Sequence, residues 1–445
     1  MSTPNILYIL TDQQSADALS CAGNPDLHTP ALDSLAAAGV RFDRAYCTFP
    51  LCTPARASMF SGRMPHEVGV TENNVPIAEE FRQQELGHVL SAAGYECVYA
   101  GKWHIPEISI PDGHGFRELC PFDDVELAGR CREFLSAPRD RRFFLVASFD
   151  NPHNICEWRR ETPLPWGPIG RPPRVEDCPP LPPNYAVPPF EPGIIREVVR
   201  RNPKAYAQAD YSDEQWRRYR WAYNRLVQKV DQSIGEILEA LRDNGLEDDT
   251  LVLFSSDHGD HQGCHHLSQK SILYEEAARV PFIVRTKGVA KPGHVDTTHL
   301  VSNGLDLYAT ICDFAGVEPP EALGGRSLRS LLSGEAPGDW RDHLVLETRF
   351  PSVDCDGRAV ITDRHKYVAY GWGTYREQLF DLGTDPGEMS NLAICSHYGH
   401  ILERHRRLLR EWCETTNDTF GGGHYAHRDV PYVVPGDEYY RADEE

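Results

Sequence analysis

Short apolar runs alternate along the chain with longer stretches in which apolar residues recur every three or four positions. The runs Asn5–Leu10, Cys97–Ala100, Phe143–Phe149, Thr250–Phe254 and Val280–Val284 are rich in β-branched and aromatic residues and too short for buried helices, so buried strands are predicted there. Thr29-Pro30 pairs a helix cap with a first-turn proline, and Gly39 ends the helix it opens. The clearest helix follows Ser212: Tyr219, Tyr223, Leu226, Val227, Val230, Ile234, Ile237, Leu238 and Leu241 hold one face, and Asn244-Gly245 closes it. Strands alternating with helices predict an α/β fold built on a large, mostly parallel sheet flanked by helices.

Residues 161–203 break the pattern. "RPPRVEDCPPLPPNYAVPPFEPG" reads as an ordered surface insertion or a lid, not a packed element. The catalytic domain is predicted to span 1–338, this insertion included. Within 339–445, the runs His343–Glu347, Arg358–Thr362, Lys366–Tyr370 and Gln378–Asp381, with an amphipathic helix inside His400–Trp412, predict a smaller antiparallel sheet plus helix. The Gly-, Tyr- and Asp-rich tail from Gly421 is a candidate for wrapping a neighbouring copy in a homo-oligomer, or else an extended terminus.

At 445 residues and 40% apolar content the chain can bury a sizeable core. Lys plus Arg number 45 against 66 Asp plus Glu, a formal charge of −21, which excludes a nucleic-acid partner held by phosphate neutralisation. Met1–Leu10 has neither a basic leader nor a membrane-length apolar core, so the expectation is a cytoplasmic protein, or a periplasmic one if a leader has been removed, with no membrane partner. Thirteen scattered cysteines without a CxxC pair indicate neither a zinc ribbon nor a dense disulfide framework; most are expected to be small core residues.

In open α/β sheets ligands bind beyond the carboxyl ends of the strands. Four of the apolar runs end in chemically capable residues: Asp12-Gln13, Gly101-Lys102-Trp103-His104, Asp150-Asn151-Pro152-His153 and Asp257-His258-Gly259-Asp260. A turn-capping aspartate or a satisfied histidine explains any one of them; four at one sheet edge point to a site. Asp12, Gln13 and Asp257 offer hard oxygens, with His258 as a nitrogen ligand or its neighbour, which suits a divalent cation such as calcium or magnesium. Zinc held by His258, His261, His265 and His266 is the competing assignment.

In "FPLCTPARASMFSG", residues 49–62, Thr53 is placed to cap a helix beginning at Pro54 and stopped by Gly62, so Cys52 is expected just outside a helix N-terminus, beside Arg56. Positive charge gathers there and would lower a thiol pKa. Cys52-Thr53-Pro54-Ala55-Arg56 resembles the C-x-P-x-R core of the formylglycine-dependent sulfatases, of the alkaline phosphatase-like superfamily. The likeness extends through Ala57-Ser58 and Ser61-Gly62 and takes in "NILYILTDQQ", "TPALDSLAAAGVRFDRAYC", "GKWH", "DNPHN", "SDHGD", "KSILYEEAARVPFIVR" and "QLFDLGTDPGEMSNLA".

The resemblance implies that a formylglycine-generating enzyme oxidises Cys52 to an aldehyde. Its hydrate binds a metal held also by Asp12, Gln13, Asp257 and His258. One hydroxyl attacks sulfur, and the second expels sulfate as the aldehyde re-forms; a thiol or serine, lacking the second hydroxyl, would be trapped. By the same resemblance Arg56 and Lys102 hold the hydrate ionised and His104 accepts the proton that starts breakdown. His153 and Lys270 contact the sulfate and its leaving oxygen, with His153 as general acid. Two departures stand out: Gln13 where many relatives carry a second aspartate, and His258 where they carry asparagine. Losing one carboxylate leaves calcium the first choice, with manganese or magnesium behind it. Because the same pairs occur in related phosphonate monoester and phosphodiester hydrolases, the substrate is expected to be a small aryl or carbohydrate sulfate, with a phosphonate or phosphodiester as the alternative. A silent anion-binding protein and a plain thiol hydrolase using Cys52 with His104 are weaker readings, since the catalytic set is complete and thiol acyl transfer gains nothing from a carboxylate metal site.

Overall fold

The structure, a computed structural model, describes residues 3–107, 109–110, 113–202, 211–319, 323–334 and 337–420. The strands of its first part are, in chain order, β1 (Asn5–Asp12), β2 (Val40–Phe42), β3 (Ala45–Tyr46), β4 (Glu96–Gly101), β5 (Arg117–Cys120), β6 (Phe143–Pro152), β7 (Thr250–Ser256), β8 (Phe282–Arg285), β9 (His294–Asp296) and β10 (Val301–Ser302). Eight of them form one sheet in the order β5-β4-β6-β1-β7-β8-β2-β9, while β3 and β10 make a separate parallel pair. The five strands from β5 to β7 run parallel, and β8 runs antiparallel to both β7 and β2. The predicted mostly parallel sheet is therefore present.

Every residue of β1 is buried, as a central strand covered on both faces requires. Its side chains alternate between two cores. Ile6, Tyr8 and Leu10 pack with α2 (Cys52–Ser61), α3 (Leu86–Ala92) and α9 (Leu305–Ala315), whereas Leu7 and Ile9 face α1 (Pro30–Ala38), α4 (Asp124–Ser136) and α7 (Asp213–Asp243). Helix α7 is the predicted long helix, 31 residues opened by a capping box between Ser212 and Gln215. Helix α1 also lies where Thr29-Pro30 placed it, but Thr29 does not cap it. The Thr29 hydroxyl bonds Ser20 and Asp33, and the first-turn amides of Ala31 and Leu32 donate instead to Asp231 of α7 at 3.1 and 3.0 Å.

Past residue 342, β11 (His343–Phe350), β12 (Cys355–Thr362), β13 (His365–Tyr370) and β14 (Glu377–Asp381) form the predicted antiparallel sheet, with α11 (Gly399–Thr416) on one face. Its other face packs on Leu273 and Tyr274 and on Ile194, Ile195 and Val198. Those last three belong to α6 (Gly193–Arg201), so the proline-rich stretch ends in a helix buried between the two sheets and the expectation of an unpacked insertion fails at that end. The earlier part lies on the surface, tied down by Arg217, which donates to the carbonyls of Cys178 (2.7 Å) and Pro179 (3.1 Å). The tail from Gly421 lies outside the described residues. No helix among those described is long and apolar enough to cross a membrane. All cysteines but Cys21 and Cys395 are buried, and all are free.

Candidate functional site

Because β4, β6, β1 and β7 are consecutive and parallel in the sheet, their carboxyl ends share one edge, and all four predicted polar clusters arrive there. Two glycines make the close approaches possible. A Cβ on Gly101, whose φ is +93°, would sit 2.1 Å from the Ser148 carbonyl oxygen, and one on Gly259 would sit 1.9 Å from that of Glu276. The chain can therefore turn Lys102 and the Asp257-His258 pair inward.

Cys52 is the first residue of α2 itself, with Leu51 as its N-cap, rather than a residue outside the helix. Thr53 does not cap; its hydroxyl donates to the His104 carbonyl at 2.7 Å, and its amide donates to Asn73 Oδ1 at 3.0 Å. Gly62 ends the helix in the left-handed conformation, as predicted. Residue 52 meets the strand ends directly. Its Sγ lies 3.3 Å from His258 Nε2 and 3.7 Å from Asp12 Oδ1, and Lys270 Nζ donates to it at 3.0 Å. Burial and Asp12 push this thiol up, but Lys270, His258 and Lys102 outweigh them and hold it well below the usual thiol range.

Arg56 is fully buried and every guanidinium nitrogen is engaged. Nε donates to Asp257 at 2.9 Å, Nη2 to Asp12 at 3.1 Å, and Nη1 to the Lys102 carbonyl at 2.7 Å and Ser148 Oγ at 2.9 Å. It fixes the two carboxylates and is not open to a ligand. Lys102 Nζ bridges Asp12 at 2.8 Å and Asp150 at 2.9 Å; burial lowers this ammonium, and the two carboxylates more than restore it. Burial likewise raises Asp12, but Lys102 and Lys270 hold it well below the ordinary carboxylate range, while Asp257, buried beside Asp12, is pushed up to about 6.

One ligand atom from each of Asp12, Cys52, Asp257 and His258 lies within 4.8 Å of the others, and all four residues are buried. His258 Nδ1 donates to the Gly259 carbonyl at 3.0 Å, which leaves the Nε2 lone pair facing the group. Two carboxylates, an imidazole and a buried residue on a short radius fit a divalent cation. Gln13 is held with its amide toward Asp260 (2.7 Å) and its carbonyl accepting from Lys270 (3.0 Å), one hydrogen bond from Cys52. The histidine zinc assignment fails: His258 belongs to this group, His266 packs on Tyr185 and Trp216, and His261 and His265 lie in a different buried cluster.

His153 lies at the rim with its side chain 24% exposed, 3.8 Å from Asp150. Burial and the two ammoniums, Lys102 and Lys270, push it down to about 3, so the substrate-free ring is neutral and the near-neutral acid expected of it requires an anion to be bound. His104, with φ +63°, keeps Nδ1 buried and without a hydrogen-bond partner among the described residues. Three contributors escaped the sequence reading. Asp150 orients Lys102 and also accepts from Asn154 (2.6 Å) and Trp166 (2.9 Å), Ser148 seats Arg56, and Asp260 holds Gln13. Asp150 carried a signal: a carboxylate ending the strand next to the one that delivers a lysine.

The family model described as Sulfatase matches residues 4–317, and that described as N-sulphoglucosamine sulphohydrolase, C-terminal, matches residues 263–414. A delta 4,5-hexuronate-2-O-sulfatase of Bacteroides thetaiotaomicron is 31% identical over 440 residues, covering 94% of this chain and 90% of that protein. The solved structure of a 2-O GAG sulfatase superposes with a TM-score of 0.83 at 28% identity, covering 99% of this chain and 96% of the other. A phosphonate monoester hydrolase of Agrobacterium radiobacter shares the fold at a TM-score of 0.73 and 23% identity over 93% of this chain and 96% of its own. Strand ends, cysteine-bearing helix and both sheets thus coincide with one known architecture, and the chain belongs to the sulfatase family.

Proposed function

We propose that this sulfatase hydrolyses a sulfate ester carried by a sugar, using formylglycine made from Cys52 by a formylglycine-generating enzyme. The proposed cation is calcium, ahead of manganese or magnesium, held by Asp12, Gln13, residue 52, Asp257 and His258. The supporting observation is the convergence on Cys52 of two carboxylates, an imidazole and the Lys270 ammonium, all buried. A cation bound there would polarise the sulfate oxygens, and the hydrated aldehyde would supply both the attacking and the releasing hydroxyl.

The chain's own groups divide the remaining work. Arg56, saturated by its partners, positions Asp12 and Asp257. Lys102 and Lys270 place two ammoniums beside residue 52, where they attract the sulfate and favour an ionised hydroxyl. His153, neutral when the site is free, takes up a proton as the anion enters and stands at the open rim to pass it to the leaving oxygen. His104, whose backbone is pinned to Thr53 beside residue 52, offers an unpaired Nδ1 to accept the proton released in breakdown.

Sugar sulfate is favoured over phosphonate because the hexuronate sulfatase relative is the more similar, while the phosphonate hydrolase shares the fold alone. A panel of 2-O-sulfated unsaturated hexuronide, glucosamine sulfates, choline sulfate, aryl sulfate and aryl phosphonate tests this. Sulfate release with the highest kcat/KM on a sugar sulfate is expected; a higher kcat/KM on the phosphonate would overturn the assignment.

A further inference from the structure

The loop that leaves the Asp257-His258 pair carries two histidines that the catalytic group does not use. His261 and His265, both fully buried, meet Glu276 of α8 (Glu275–Ala278) and Glu388, which follows β14. His265 Nε2 lies 3.7 Å and His261 Nδ1 4.0 Å from Glu276 Oε2, and one ligand atom each of His265, Glu276 and Glu388 falls within 4.8 Å of the others. Among the described residues, neither ring nitrogen of His261, nor Nδ1 of His265, nor Oε2 of Glu276 has a hydrogen-bond partner. Leaving a buried polar atom unpaired costs about 1–3 kcal/mol, so an imidazole with both nitrogens orphaned and one aimed at a carboxylate calls for a missing partner.

The surroundings narrow what that partner is. Lys366 neutralises Glu275 and Glu388 at 3.0 and 2.9 Å, but the contacts of Glu276 are the two histidines and the Asn184 amide, which donates to its other oxygen at 2.7 Å. Burial pushes His261 down to about 3, so its ring is neutral and keeps a lone pair for a ligand. Tyr274 stacks on His265 with ring centres 3.7 Å apart and planes 8° from parallel, which fixes that ring's orientation. Donors bound at about 2.0–2.2 Å around a tetrahedral zinc stand about 3.3–3.5 Å apart, so the observed 3.7 and 4.0 Å need only a small closure.

We propose that His261, His265 and Glu276, with Glu388 closing the set, form a second metal site that takes Zn2+, distinct from the catalytic cation site. Two imidazole nitrogens with carboxylate oxygens select zinc over calcium, and a buried four-ligand set leaves no open position for chemistry. The role is structural. His261 also donates its amide to the Gln269 carbonyl at 3.0 Å, so a zinc here would hold both ends of the loop that carries Asp257, His258 and Lys270, and would tie it to the C-terminal sheet through Glu388. The inference does not depend on the reaction proposed above.

The test uses the full chain and zinc chloride alone. Anomalous difference maps recorded above and below the zinc edge are expected to show a peak between His261, His265 and Glu276. Metal analysis is done in an Asp257→Asn background, which weakens the catalytic site's claim on zinc; about one zinc per chain is expected, with affinity falling more than about tenfold on adding His261→Gln, the loss seen even when only a partner of a ligand is removed. An empty map at saturating zinc, with protonated His265 simply paired to Glu276, overturns the proposal, as does full zinc retention by His261→Gln. If that variant does not fold, the map of the unaltered chain decides.

Discussion

Replacing His66 by glutamine removes a proton-binding group from the contact between the loop after α2 and strand β11. His66 Nδ1 meets Glu347 Oε1 at 2.6 Å, its backbone amide donates to Glu347 Oε2 at 3.2 Å, and Nε2 donates to the Thr416 carbonyl at 3.2 Å. Burial alone would lower this imidazole, but the hydrogen bond and charge of Glu347, with Asp418 nearby, raise it from the ordinary 6.5 to about 9. The side chains are only 12% and 1% exposed, so solvent screening is slight. A difference of about 2.5 between folded and unfolded pKa is worth about 3 kcal/mol. Because the folded value is the higher one, the contribution is complete below pH 6.5 and is lost as pH rises through 9. At roughly 2.1 cal/mol/K per residue, a chain of 445 residues shifts its Tm by about 1 °C per kcal/mol. Thermal unfolding of H66Q beside the wild type should therefore show a Tm gap whose pH-dependent part is about 3 °C near pH 6.5 and within about 0.5 °C of zero by pH 9.5. A gap that stays constant, or widens with rising pH, refutes the linkage.

Three further outcomes follow from the site. Cys52→Ser, with one hydroxyl where two are needed, should take up one sulfuryl group per chain from a labelled substrate and then stop; sustained turnover in a steady-state assay would count against the proposed release step. Arg56→Met strands Asp12 and Asp257 in the core, and chemical denaturation should register a loss of about 3–5 kcal/mol, the usual result of breaking a buried ion pair from one side; a loss under 1 kcal/mol would mean the two carboxylates are not held by it. Lys270→Ala removes the ammonium next to residue 52 and should lower kcat about 10²–10⁴-fold while the far-ultraviolet circular dichroism stays native; an unaltered kcat removes Lys270 from the mechanism.

The parts legible in the sequence are those whose signal is local. Strands β1, β4, β6 and β7 announce themselves by unbroken apolar runs because both their faces are buried, and α7 by a periodicity sustained over 31 residues. Since those four strands are neighbours, reading their ends was enough to gather Asp12, Lys102, Asp150 and Asp257. What stayed hidden is set by distant partners. Strands β2, β9 and β10 are two or three residues long and exist through their pairing. Asp231 caps a helix 199 residues away, so Thr29, the local candidate, was wrongly preferred. In α6, flanking prolines masked Ile194, Ile195 and Val198, whose burial depends on a sheet that follows much later in the chain. The His261 and His265 cluster draws on Glu276 and Glu388, so histidine spacing alone pointed to the wrong ligand set.

The central claim is that residue 52 works as an aldehyde and not as a thiol. Preparations made with different amounts of the formylglycine-generating enzyme differ in the converted fraction, which mass spectrometry of the tryptic peptide Ala45–Arg56 quantifies. Plotted against that fraction, sulfate release per chain is predicted to fall on a line through the origin, and activity that persists undiminished in fully thiol-bearing protein would contradict the account.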